Sequence, residues 1–323
     1  GLNGRDGKSP GRGPRRFICY DRQAEHRQLL SPVRQGTVSG AHTVGNQPAS
    51  AGGASMTLNF TILGCGSSGG VPRPALGWGY CDPNNPKNRR RRTSLLVERR
   101  AIDGVTRVLV DTSPDLREQL LDAGADWLDG VFYTHEHADH THGIDDLRSL
   151  FIKRHQRVDV YLDESTAAMM RSRFAYCFQS PPGSDYPPIV TEHRLTAGVP
   201  ATVTGKGGPI TVLPFLQEHG DINSLGFRFA GLAYSCDLSG IPSSSLDALN
   251  ALDVWILDAL RYTPHPSHFS VGDALRWIER MKPQRAVLTN LHADLDYDVL
   301  SSKLPAHVTP AFDGMTLRVT EAP

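Results

Sequence analysis

The chain has 323 residues, 39% of them hydrophobic, and its 34 Lys plus Arg balance 34 Asp plus Glu. That composition excludes a wholly disordered chain, and no apolar run reaches the roughly 18 residues a membrane-spanning helix needs. Zero net charge removes the simplest argument for a nucleic-acid binder, and five scattered cysteines with no Cys-x-x-Cys pair read as reduced thiols of a cytoplasmic protein.

The even balance hides a split. Residues 1–55 carry a net charge of +5, are rich in Gly, Ser, Pro and Gln, and show no sustained period. Such a segment cannot bury enough apolar area to offset its ordering entropy. The first methionine, Met56, stands directly before the strand pattern Leu58–Leu63. The expectation is a disordered, non-native extension over 1–55 and a folded domain over 56–323. A targeting peptide is the rival reading, but the segment has neither an amphipathic helix nor an apolar stretch.

From Met56 onward strands and helices alternate. Short runs rich in Val, Ile, Leu, Phe and Tyr, bounded by turn residues, predict strands at 58–63, 94–99, 107–111, 130–134, 158–162, 210–215, 225–229, 231–235, 254–258 and 286–290. Pro114 suits the first turn of a helix over 114–123 that Gly124 ends. Asp163 can cap a helix over 164–178. Ser270 and Asp273 have capping-box spacing before the apolar stripe Ala274, Leu275, Trp277, Ile278 and Met281, which Pro283 stops. Two stretches rich in Gly and Pro, 64–93 and 179–209, read as long surface loops. The whole predicts a mixed, layered α/β fold.

The informative stretch is Thr134-His135-Glu136-His137-Ala138-Asp139-His140-Thr141-His142-Gly143, with four histidines and an aspartate within eight residues of an apolar strand. Packing explains such density poorly: imidazoles buried without partners cost free energy, and protonated ones repel one another. A divalent cation resolves both, because it accepts neutral imidazole nitrogens. Along an extended chain His135 and His137 point the same way and can grip one ion. Where the chain turns toward a helix, Asp139 and His140 face elsewhere and can hold a second. Mixed His and carboxylate ligation suits zinc, manganese or iron. His142 reads as packing at the helix start.

Further donors sit just past apolar strands: His219, Asp237 and His292. A carboxylate such as Asp237 can bridge two ions about 3.5–4 Å apart. Asp111, at another strand end, reads as the hydrogen-bond acceptor that orients a ligating histidine. His268, just before the 270–281 helix, is a candidate general acid. The run Arg89–Arg92 reads as a solvated face, with a phosphate contact as its alternative.

Thr-His-x-His-x-Asp-His resembles the signature of the metallo-β-lactamase superfamily. Gly64-Cys65-Gly66-Ser67-Ser68-Gly69-Gly70-Val71-Pro72-Arg73, the stretch from His140 to Arg148, and the stretch from Leu288 to Tyr297 resemble its PhnP-like branch, to which PqqB and RNase Z are related. The likeness covers roughly residues 58–320. It implies a four-layer αββα sandwich and a hydrolase with two divalent metal ions, zinc or manganese. It implies His135, His137 and His219 on one ion, Asp139, His140 and a last histidine on the other, Asp237 as the bridge, and His268 in the position of the catalytic histidine. Where the family places its last ligand, directly after Leu-Thr, this chain has Asn290, so His292 is expected to serve. Only Cys81 remains of the family's cysteine-rich loop, and no structural zinc is expected there. The expected substrate is a small cyclic phosphate or related phosphodiester, with neither nucleic acid nor membrane as partner; a homodimer is allowed. An RNase Z-like endonuclease is the alternative, but only 17 residues separate His219 from Asp237, too few for a tRNA-gripping arm. A thioester or lactone hydrolase on the same site, and a non-catalytic metal-binding protein, are the others.

Overall fold

The computed structural model describes residues 57–320; the expectation for residues 1–55 lies outside them. The strands in chain order are β1 (Thr57–Gly64), β2 (Ser94–Ala101), β3 (Gly104–Val110), β4 (Gly130–Phe132), β5 (Val158–Leu162), β6 (Val190–Arg194), β7 (Ala201–Gly205), β8 (Gly208–His219), β9 (Ile222–Phe229), β10 (Leu232–Ser235), β11 (Val254–Asp258), β12 (Arg285–Thr289), β13 (Val308–Pro310) and β14 (Thr316–Thr320). The helices are α1 (Leu116–Ala123), α2 (Ala138–Thr141), α3 (Arg148–Arg154), α4 (Glu164–Arg173), α5 (Ala175–Phe178), α6 (Val271–Met281) and α7 (Tyr297–Lys303).

Two seven-stranded sheets result, ordered β14-β1-β2-β3-β4-β5-β6 and β13-β12-β11-β10-β9-β8-β7. In each, one half is antiparallel and the other parallel. β14, β1, β2 and β3 pair antiparallel while β3 to β6 run parallel. β7 to β10 pair antiparallel while β10 to β13 run parallel.

Alternation along the strands builds the layers, because successive side chains point to opposite faces. Val108 and Val110 face the second sheet and meet a core with Phe132, Phe227, Tyr234, Ile256 and Val287. Leu109 between them faces outward, into a second core with Leu116, Leu120, Leu147 and Met170. On the other sheet Trp255 and Leu257 face outward to Val271, Ala274 and Ile278 of α6 and to Leu300 of α7. The three large cores among the described residues mean four layers, the expected αββα sandwich. Each fully buried Leu, Phe or Val contributes about 1.5–3 kcal/mol.

Several elements differ from the sequence reading. The stretch 179–209 contains β6, β7 and the first residues of β8. The 164–178 helix breaks at Phe174 into α4 and α5. Residues 64–93 are a loop with one 3-10 turn, Pro86–Asn88, pinned by Arg90. Its buried guanidinium donates to the Leu295 carbonyl at 2.7 Å and the His292 carbonyl at 3.3 Å. Arg91 pairs with Asp122 and Asp313, and Arg92 with Asp115. Within the run, Arg90, Arg91 and Arg92 therefore fasten loops through carbonyls and carboxylates. No described helix is long and apolar enough to cross a membrane.

Candidate metal centre

Strands of both sheets deliver the polar residues to one end of the sandwich. β3 runs into Asp111, β4 into Thr134 and His135, β8 ends in His219, β10 leads to Asp237, β11 ends in Asp258, and β12 leads to Asn290. Asp111, Asp237 and Asn290 have left-handed backbones, with φ of 63°, 54° and 60°, so the chain turns sharply where each strand stops.

Asp111 is fully buried and organises the histidine loop. Its Oδ1 accepts from the Thr134 backbone N–H at 2.8 Å; its Oδ2 accepts from Thr134 Oγ1 at 2.8 Å and from His140 Nδ1 at 2.7 Å. With Nδ1 occupied, His140 presents Nε2 to Asp237 Oδ2 at 3.3 Å and Asp139 Oδ2 at 3.5 Å. His219 donates from Nδ1 to the Ser267 carbonyl at 2.6 Å, which turns its Nε2 toward Asp237 Oδ2 at 3.8 Å. His135 Nε2 lies 3.7 Å from the same oxygen, and His137 Nδ1 lies 3.3 Å from His219 Nε2.

These residues fit a cation. Donor atoms of His135, His137, His219 and Asp237 all lie within 4.8 Å of one another. The buried Nε2 atoms of His135 and His140 have no hydrogen-bond partner, a costly state for a buried polar group that ligation removes. Burial and the neighbouring His140 push His135 well below the ordinary imidazole range, which keeps its ring neutral. Burial also works against protonation of His140, but Asp237, Asp139 and Asp111 outweigh it and push that ring well up. Cys236, beside Asp237, donates its S–H to Oδ1 at 3.0 Å, and burial raises its thiol well above the ordinary value.

His292 and His142 lie outside this group. His292 lines the same cavity, but its Nδ1 faces Asp294, 3.1 Å from Oδ1. The reason is local. Residues i and i+2 share a face only along an extended chain, and the left-handed turn at Asn290 breaks that relation. Asn290 itself stands at the centre, its Nδ2 donating to Asp237 Oδ1 at 2.9 Å and Asp258 Oδ1 at 3.1 Å. His142 packs edge-on against Phe174. Cys81 is buried, with its Sγ 3.5 Å from the Ala293 carbonyl.

A cavity of about 320 Å³ opens over the cluster, and His137, Asp139, Asp237, His268, Asn290 and His292 reach it. Ser67, Arg73, Arg261 and His265 line it as well. Arg73 donates to Ser67 Oγ at 3.0 Å, while its buried Nε has no partner. Arg261 is braced by the carbonyls of Thr263 and Pro264. His268 Nδ1 sits 3.0 Å from Asp258 Oδ2. Burial disfavours the charged ring, yet the Asp258 hydrogen bond and charge outweigh it, and His268 is pushed up to about 9. Burial lifts Asp258 as well, so the pair holds a proton near neutral pH. Asp258, Arg73 and Arg261 were not singled out from the sequence. Asp258 carried the available signal, an apolar strand running straight into a carboxylate, as at Asp111. A second and larger groove, about 700 Å³ beside α1 and α3, holds none of these residues.

Residues 106–290 match the family model described as a β-lactamase superfamily domain. The chain belongs to the metallo-β-lactamase superfamily, in its PhnP-like branch. A crystal structure of a diphosphatase from the PhnP family superposes with a TM-score of 0.74 at 34% identity, over 83% of this chain and 99% of that one. The zinc-bound PqqB of Methylobacterium extorquens superposes at 0.62 with 17% identity, over 80% and 99%, a likeness of fold. The octanoyltransferase of Porphyromonas gingivalis (strain ATCC BAA-308 / W83) is 33% identical over 269 residues, 82% of this chain and 52% of the relative. The chain thus spans about half the length of that curated relative. Superfamily membership and the clustered donors give the chain a metallo-β-lactamase fold whose His and Asp cluster fits a divalent metal.

Proposed function

We propose that this hydrolase cleaves small phosphoric diesters, including cyclic ones, with divalent cations, zinc or manganese, at two positions. His135, His137 and His219 hold one, Asp139 and His140 the other, and Asp237 lies between them. The carrying observation is the cavity itself. Arg73, Arg261 and His268 line the same cavity of about 320 Å³ as His137, Asp139 and Asp237, a volume suited to a small anionic ligand. The cations, when bound, supply hydroxide at neutral pH and offset phosphate charge. The Arg73 guanidinium, on the lining of that cavity, suits phosphate oxygens. Asp258 orients His268, and His268 gives a proton to the departing alkoxide as the P–O bond breaks. The PhnP-family diphosphatase supports a phosphorus substrate. The interval from His219 to Asp237 is taken up by β9 and β10, which leaves no arm for gripping a tRNA.

The test is turnover by protein loaded with zinc or manganese. The panel is bis-p-nitrophenyl phosphate, 2′,3′-cyclic nucleotides, a ribosyl cyclic phosphate, a lactam and an octanoyl thioester, the last because of the octanoyltransferase relative. Diester hydrolysis that chelation abolishes and metal restores is expected. Turnover of the thioester or lactam with every diester inert would refute the proposal.

A further inference from the structure

Resting on the diester reading above, we infer that a second cavity beside the metal centre is a nucleobase subsite. Tyr80 and Tyr262 hold the flat ring of a nucleotide whose phosphodiester lies at Arg73, Arg261 and the metal cluster.

This cavity, about 510 Å³, is lined by Tyr80, Tyr262, Thr263, Asp294, Asp296 and Val299. Two segments set it next to the metal centre. Leu260 and Arg261 line the metal-side cavity, and Tyr262 and Thr263 follow them directly in the chain. His292 lines the metal-side cavity, and Asp294 stands two residues on. Consecutive Cα atoms are about 3.8 Å apart, so a ligand with its phosphate beside Arg261 has Tyr262 within reach of its other end.

Both rings are offered to solvent from backbone that is fixed. Tyr80 is 82% exposed and Tyr262 is 42% exposed. The Tyr80 N–H donates to the Ala293 carbonyl at 2.9 Å. Beside it Gly79, with φ of 60°, passes so close that a Cβ there would stand 2.6 Å from the same oxygen. Before Tyr262, the Leu260 N–H donates to the Phe269 carbonyl and the Arg261 carbonyl accepts from the Val271 N–H, both at 2.9 Å. Rings held in place before a ligand arrives lower the ordering cost of binding it.

The lining selects what the rings hold. Asp294 and Asp296 repel a further phosphate. Lys303 Nζ sits 5.1 Å from the centre of the Tyr262 ring, so a quaternary ammonium group would meet a like charge there. An alkyl chain would cover carboxylate oxygen without offering it a hydrogen bond. The Asp296 carboxylate is already engaged by the N–H groups of Asp82, Asp298 and Val299 and by Asn88 Nδ2. Asp294, its side chain 37% exposed, is the acceptor for a ligand. A neutral planar ring with N–H donors on its edge satisfies both the tyrosine faces and that carboxylate, and an amino-bearing nucleobase is such a ring.

The test compares ligands with and without a base. Calorimetry on the metal-loaded protein measures the Kd of guanosine 3′-monophosphate and of ribose 5-phosphate. The nucleotide should bind about tenfold tighter or more, the size of one base stacked on an aromatic side chain. Tyr80→Ala and Tyr262→Ala should each reduce that ratio by about fivefold or more, and Tyr80→Phe, which keeps the ring, should preserve it. Tyr80→Leu, which keeps bulk without an aromatic face, is the readout if the alanine variant fails to fold. With guanosine 2′,3′-cyclic phosphate as substrate, the alanine variants should raise KM far more than they lower kcat. Equal affinity for the two ligands, an undiminished ratio in both alanine variants, or tighter binding of phosphocholine or octyl phosphate than of the nucleotide would each overturn the inference. A preference for the nucleotide without turnover of any diester would sink the proposed function alone. Diester turnover without that preference would sink this inference alone.

Discussion

His268 owes its proposed role to a residue ten positions earlier. A loop histidine alone has no fixed orientation; the buried Asp258 carboxylate takes its Nδ1 at 3.0 Å and leaves Nε2 for the cavity. A lost general acid costs about 10²–10⁴ in rate. His268→Ala should keep its metal content and lose kcat by that order on a diester with an alkyl leaving group, and much less on a p-nitrophenyl ester, whose leaving group needs little protonation. Equal losses on both would make His268 a phosphate contact. Asp258→Asn should repeat the leaving-group pattern more weakly with KM unchanged, as expected of a positioning residue. The histidine loop was legible because density and spacing are local properties of sequence. Arg73 and Arg261 were not, since they meet across 188 positions of the chain and no local period marks either. His292 stands apart from the converging donors because the i, i+2 relation needs an extended backbone and the chain turns at Asn290.

Among the elements, α6 shows how short-range chemistry becomes readable. Ser270 accepts from the Asp273 N–H at 3.2 Å and Asp273 Oδ2 accepts from the Ser270 N–H at 3.0 Å, the reciprocal box that the spacing suggested. Ser270→Ala should cost about 1 kcal/mol by urea unfolding near neutral pH, with no change in metal content. Burial would lift the Asp273 carboxyl, but the Ser270 hydrogen bonds and Arg276 outweigh it and hold it below the ordinary value. A depressed folded-state pKa stabilises only the charged form. The advantage of the unaltered protein over Asp273→Ala should therefore be complete above about pH 4 and shrink as pH falls through the lower folded value. An advantage independent of pH down to the acid transition would mean that the charge contributes nothing. β6 and β7 escaped the sequence reading for the opposite reason. Val190–Arg194 is mostly half-buried and polar, and Ala201–Gly205 buries only Val203; pairing with β5 and β8, not their own apolar content, makes them strands.

At the scale of the molecule, the alternation of strands and helices announced a layered α/β protein, and the inward and outward faces of Val108, Leu109 and Val110 account for two of its three cores. Strand order was not legible, because it depends on which edges meet: β14, the last strand, lies against β1, the first. That meeting of distant segments also gathers the strand ends at the metal centre. Three of those ends, Asp111, Asp237 and Asn290, turn through left-handed backbone. That conformation costs an ordinary L-residue roughly 1–2 kcal/mol and glycine almost none. Asn290→Gly should therefore melt above Asn290→Ala, by a margin equivalent to ~1 kcal/mol, although both lack the carboxamide. Identical melting points would show that the corner carries no backbone cost. The broader outcome concerns selection. A screen for thermostability alone would weigh that relief against the hydrogen bonds each side chain makes, three of them at Asp111, and any glycine it accepted at such a corner would leave a sturdier protein stripped of part of its metal chemistry.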